Sequence, residues 1–175
     1  LVPVRTRNAY ASGVLNAGPG VPAPSEVITV GDTGIDTAHC DFGGAHVAHH
    51  ALALHHGVPA SLPIDPAAGI NYVRYSIGDV QTDFIDFDGG HGTHGMASAV
   101  GAKGSSPGTR LIALDLGYGP GEGNYHLYVP EDLGDHMLGP VYPHSKIFSA
   151  SWGEDWNGYT EMARQMDQFV AEHDD

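Results

Sequence analysis

The segment Asp88-Gly89-Gly90-His91-Gly92-Thr93-His94 puts a histidine directly after two glycines and at the head of a stretch of small residues. Small neighbours let another group approach the imidazole closely. A second segment, Val30-Gly31-Asp32-Thr33-Gly34-Ile35-Asp36, ends a short apolar run on an aspartate. Together they offer an acid and a base. A buried carboxylate that accepts a hydrogen bond from one ring nitrogen fixes the tautomer and stabilises the charged ring, leaving the other nitrogen to take a proton from a nucleophile. Asp32 and His91 would then be two members of a catalytic triad. Taken singly, each has a plainer explanation: Asp before Thr-Gly commonly caps a turn, and His91 with His94, three apart on one helix face, has the spacing of a metal pair. Their pairing favours the acid and base reading.

Such a pair needs elements that bring strand ends and helix starts to one edge. Residues 26–32 form a short β-branched run closing on Asp-Thr-Gly, the pattern of a buried parallel strand and its turn. Residues 71–77, 110–116 and 146–151 are further strand candidates. Residues 91–102 read as a helix rich in small side chains. Residues 159–172 read as another, with Met162, Met166, Phe169 and Val170 at helical spacing and the stripe Met162, Met166 and Phe169 assigned to the core. Strands alternating with helices predict an α/β domain with a mostly parallel sheet, and the edge formed by the strand ends is where such sheets place their sites. Residues 1–25, rich in Gly and Pro, read as an irregular lead-in. The His-rich stretch 45–56, within 43–68, reads as one more helix.

Composition narrows the function. Seven Lys and Arg against 21 Asp and Glu give a net charge of −14 over 175 residues, which excludes nucleic-acid recognition by clustered basic side chains. No apolar run approaches the roughly 18 residues of a membrane-spanning helix. The single cysteine, Cys40, excludes an intrachain disulfide and a multi-cysteine zinc site, and reads as a small buried hydrophobe. The chain opens on Leu1 with no signal segment, the look of a fragment or processed piece.

Asp-Thr-Gly-Ile-Asp-Thr-Ala-His at 32–39, His-Gly-Thr-His at 91–94 and Ser-Ala-Ser-Trp-Gly at 149–153 resemble a subtilisin-type serine peptidase, a subtilase of the peptidase S8 family. Asp before His is the family's order. The resemblance covers residues 26–173, the N-terminal part of the catalytic domain, and implies a subtilisin-like three-layer fold left incomplete at its C-terminal side. It implies Asp32 as the triad acid, His91 as the triad base and His94 as a structural residue. It also implies a peptide or protein substrate held as an added strand between two backbone edges: Gly117, Gly119 and Gly121 on one side, Ser151, Trp152 and Gly153 on the other. Trp152 stands where the family often has Leu. No cofactor is implied for the chemistry. Asp41 matches a calcium-ligand position of many bacterial members, with Asp36 nearby, so structural calcium is a candidate. An extracellular or lumenal setting is favoured by the resemblance alone.

The departures define the expectation. No Gly-Thr-Ser-Met-Ala nucleophile motif occurs, and Gly104-Ser105-Ser106-Pro107-Gly108-Thr109 has similar letters in another order. The family's oxyanion asparagine falls beyond Asp175. The 175 residues alone are therefore expected to be inactive. Gly95-Met96-Ala97 replaces the family's Val-Ala-Gly, so a small local shift is expected at Ala97. The 59-residue separation of Asp32 and His91 exceeds that of compact members, and 43–68 is expected to hold the excess. Two other functions stay open: a non-catalytic peptide-binding module, and a metal-binding role for His46, His49, His50, His55 and His56.

Overall fold

The computed structural model describes residues 26–53, 61–77, 80–81, 86, 88–118 and 126–173. The lead-in 1–25, His55, His56, Gly119 and Gly121 lie outside them. Among the described residues the chain runs through β1 (Val27–Asp32), β2 (Val47–Ala53), β3 (Ile70–Ile77), β4 (Val80–Gln81), α1 (His91–Val100), β5 (Arg110–Asp115), β6 (Gly117–Tyr118) and β7 (His126–Leu127). A π-helical turn, Gly134–Leu138, then leads into α2 (Gly139–Val141), β8 (Ile147–Ala150) and α3 (Glu161–Glu172).

Strands β2, β3, β5, β1 and β8 lie in that order in one sheet, all parallel, and β4 adds an antiparallel pair to β3. The fold is α/β. In β5 every residue from Leu111 to Asp115 is fully buried. An unbroken apolar run suits that place because helices cover both faces of the sheet. Alternate residues divide between the faces: Leu111 and Ala113 pack with Met96 and Val100 of α1, whereas Ile112 and Leu114 pack with Met137, Leu138 and Val141. The sheet is thus the middle of three layers.

The crossovers β3 to β5, through α1, and β5 to β8, through α2, step the same way across the sheet but cover opposite faces. They must be of opposite hand. One of them therefore departs from the strong right-handed preference of such connections, and α1 packs on the face that carries Val30 and Ile35.

Three sequence expectations need correction. Within the His-rich stretch, Val47–Ala53 is a strand, β2, paired residue for residue with β3 from Val47↔Ile70 to Ala53↔Ser76. Its alanines permit a helix, but sheet pairing and the burial of Leu52 override that local tendency. The α3 stripe is not a buried core face: no residue of α3 is buried, Met162, Met166 and Phe169 pack half-buried against the core, and Val170 is 67% exposed. One flank of this helix, through Met162, Met166 and Phe169, meets the core, and Met166 and Phe169 line a cavity with Phe148 and Ala150 of β8. Cys40 is exposed, because the short turn Cys40–Phe42 buries Phe42 instead.

Candidate active site

Asp32 closes β1 and His91 opens α1, so the two stand together at the C-terminal edge of the sheet. The approach to α1 turns on Gly89 and Gly90, with φ of 64° and 86°, a left-handed conformation that favours glycine. Asp32 is buried at 1% side-chain exposure, whereas His91 is 46% exposed. His91 Nδ1–H donates to Asp32 Oδ1 over 2.7 Å. A carboxylate only accepts, so the proton sits on Nδ1 and the neutral ring's Nε2 is an acceptor. The Thr33 N–H also donates to Asp32 Oδ1, at 2.8 Å.

Asp32 Oδ2 is buried and accepts no hydrogen bond among the described residues. Beside it lies Gly95, where an added β-carbon would come within 3.6 Å of that oxygen. Few donors therefore compete for the carboxylate charge, which can stabilise the imidazolium formed when Nε2 takes a proton. At Ala97, the expected point of adjustment, the side chain is half-buried and packs against the α1 side of the core.

Contacts that no spacing rule foretells hold the two segments together. Thr33 Oγ1 accepts from Gly92 N–H at 3.0 Å and donates to Asp86 Oδ1 at 2.8 Å. Asp86 Oδ2 accepts from Thr93 N–H at 2.7 Å, and Thr93 Oγ1 accepts from Asp36 N–H at 2.8 Å. No motif of the sequence marks Asp86.

The other site residues flank β1 on both sides. Gly117 follows β5 and is buried so closely on Thr33 that an added β-carbon would sit 2.5 Å from the Thr33 carbonyl oxygen. Ser151, Trp152 and Gly153 follow β8 on the other side, with Ser151 and Gly153 exposed. Trp152 Nε1–H donates to the Gly31 carbonyl at 2.8 Å, and its half-buried ring packs on the core. Tethered in this way, the indole lies over the end of β1.

His94 is on the exposed face of α1 and borders a cavity of about 390 Å³ with Asp36, His39, Asp41 and Asp86. Thr93 and Met96 take the inward positions of this helix. Asp41 N–H donates to His39 Nδ1 at 3.3 Å, and the same nitrogen lies 3.8 Å from Asp41 Oδ2. Among the described residues no three His, Cys, Asp or Glu side chains converge to hold a metal ion. On β2 the histidines divide between the two faces: His50 Nε2 lies 2.9 Å from Asn71 Oδ1, while His49 packs on the Tyr72 ring. The single helical face that would have gathered them does not exist.

Comparison with known proteins decides the family. The pattern of the subtilase family matches residues 24–175. The chain belongs to the subtilase family. Among its relatives is the serine protease/ABC transporter B family protein tagA of Dictyostelium discoideum, 25% identical over 170 residues, covering 89% of this chain and 8% of the relative. The protein tagD of the same organism and description is 26% identical over 169 residues, covering 86% of this chain and 8% of its own length. This subtilase chain thus spans less than a tenth of those relatives. No helix among its described residues is long and apolar enough to cross a membrane.

Proposed function

We propose that this subtilase chain supplies the acid and the base of a serine-type endopeptidase, with Asp32 and His91 in those roles and the nucleophilic serine contributed by sequence outside these 175 residues. One observation carries the reading: a half-exposed imidazole held at 2.7 Å by a buried carboxylate. In the assembled site His91 Nε2 takes the proton of the serine hydroxyl as it attacks the peptide carbonyl. It then returns that proton to the leaving amine, and water later releases the acyl group by the same route. Asp32 keeps the ring oriented and balances its charge. Gly117 and Tyr118 on one side, and Ser151, Trp152 and Gly153 on the other, form the backbone edges that hold the peptide or protein substrate as an extended strand. Gly119 and Gly121 continue the first edge in sequence.

By itself the 175-residue chain forms no acyl-enzyme, because a base without its nucleophile has nothing to activate. Labelling with a fluorophosphonate, which reacts only with an activated serine, tests both parts. The chain as given is expected to stay unlabelled, and the protein extended through a Gly-Thr-Ser segment is expected to label, with loss of labelling in His91→Ala. Labelling of the 175-residue chain that depends on His91 would mean that one of its own serines is the nucleophile. An extended protein that binds peptides but never labels would make the domain a peptide-binding module.

A further inference from the structure

We propose that Asp86 is the positioning residue of His91, acting with Thr33 as a cap supplied to α1 from outside the helix. The inference rests on the Asp32 and His91 reading above and deepens it. A helix leaves its first backbone N–H groups without partners inside the helix, and an oxygen of the residue just before it commonly satisfies one of them. Here that residue is Gly90, which has no side chain and makes no such bond. The bonds come from elsewhere: Gly92 N–H reaches Thr33 Oγ1 at 3.0 Å and Thr93 N–H reaches Asp86 Oδ2 at 2.7 Å.

The carboxylate joins the two bonds into one device. Asp86 can only accept, so the Thr33 hydroxyl must spend its proton on Asp86 Oδ1, 2.8 Å away, and its lone pairs are then turned to Gly92 N–H. Thr33 adjoins Asp32, and Gly92 adjoins His91. A single carboxylate thereby sets the spacing of the acid's strand end and the base's helix start. Its negative charge at the first turn of α1 also suits the helix dipole. His91 opens α1, so the position of its ring follows the helix end. A misplacement of about 1 Å in such a pair can cost about 100-fold in rate.

The test reads the His91 Nδ1 proton by NMR in the 175-residue chain, as the rate at which it exchanges with solvent. Asp32→Asn identifies the signal by removing it. Asp86→Asn keeps the side-chain shape, but with its oxygen on Thr93 N–H it turns an amide donor to Thr33 Oγ1, so the Thr33 hydroxyl proton loses its acceptor and the charge is gone; Thr33→Val keeps the shape and deletes the hydroxyl. Both are expected to speed exchange at least tenfold while circular dichroism shows a native fold. Thr33→Ser restores the hydroxyl and should restore protection. Val100→Ala loosens the far end of α1 and is expected to leave exchange unchanged. Unchanged protection in folded Asp86→Asn and Thr33→Val overturns the proposal, as does an equal loss in Val100→Ala, which would mean that general stability sets the rate. If Asp86→Asn does not fold, the Val and Ser variants of Thr33 decide. A wild-type chain with no Asp32-dependent signal would instead remove the underlying Asp32 and His91 reading.

Discussion

A β-carbon added to Gly92 would sit 2.1 Å from the carbonyl oxygen of Gly34. The loop after β1 and the first turn of α1 therefore meet backbone to backbone, with room for hydrogen only. Gly92→Ala must push the two apart, and a loss of about 1 to 3 kcal/mol in stability is expected, as for other overpacked sites. Gly153→Ala, with nothing within 4 Å of the new carbon, should stay within about 0.5 kcal/mol of wild type. Urea titrations of the two variants check the contrast. Matching midpoints would mean that the loop and helix are not in contact in solution.

Asp32→Asn keeps the shape of the side chain and removes the charge that faces His91 Nδ1. An imidazolium beside a neutral amide loses its partner, so the ring should titrate at lower pH than in the wild type. An NMR pH titration of the His91 ring measures it. An unmoved midpoint would contradict the contact.

Trp152 ties the segment after β8 to β1 through its bond to the Gly31 carbonyl. Trp152→Phe keeps an aromatic ring on the core but cannot donate. A loss of about 0.5 to 1.5 kcal/mol is expected, the usual worth of one such bond, together with a larger change in the backbone amide signals of Gly31 and Gly153 than at distant sites. A variant as stable as wild type, with those signals in place, would show that the indole N–H holds nothing.

At the head of α3 the Arg164 guanidinium, helped by Gln165, holds the Glu161 carboxyl down to about 2 from an ordinary 4.5. The folded value lies below the unfolded one. Its contribution to stability is therefore complete above about pH 4.5 and lost as the pH falls through about 2. The pair is exposed, so the contribution is small. A carbon-13 titration of the Glu161 carboxyl should find the low midpoint, and Arg164→Ala should return it to the ordinary glutamate range. Identical midpoints in both chains would rule out the pairing.

Much of the molecule was legible along the chain. The run Leu111 to Leu114 had to be a central strand because nothing polar interrupts it, and Gly89-Gly90 before His91 marked a sharp entry into α1. Asp32 and His91 were legible as a pair because each sits in a motif whose neighbours are as constrained as itself. The strand β2 was not legible: Val47 to Ala53 contains nothing that forbids a helix, and its pairing with β3 depends on residues some 20 positions away. Nor was the exposure of Cys40 and Val170, since a short turn or an amphipathic helix does not itself say which flank meets the core.

By itself, then, the amino-acid order determined the α/β alternation and the family and marked Asp32 and His91 as a pair, because these rest on local runs and on short motifs. Only the tertiary structure decided that Asp86 meets Thr33 across 53 residues, that Gly92 meets Gly34, and that the indole of Trp152 reaches Gly31 across 121. Contacts of that kind are set by how crossovers of opposite hand lay two layers on one sheet. No periodicity within a single element carries that information.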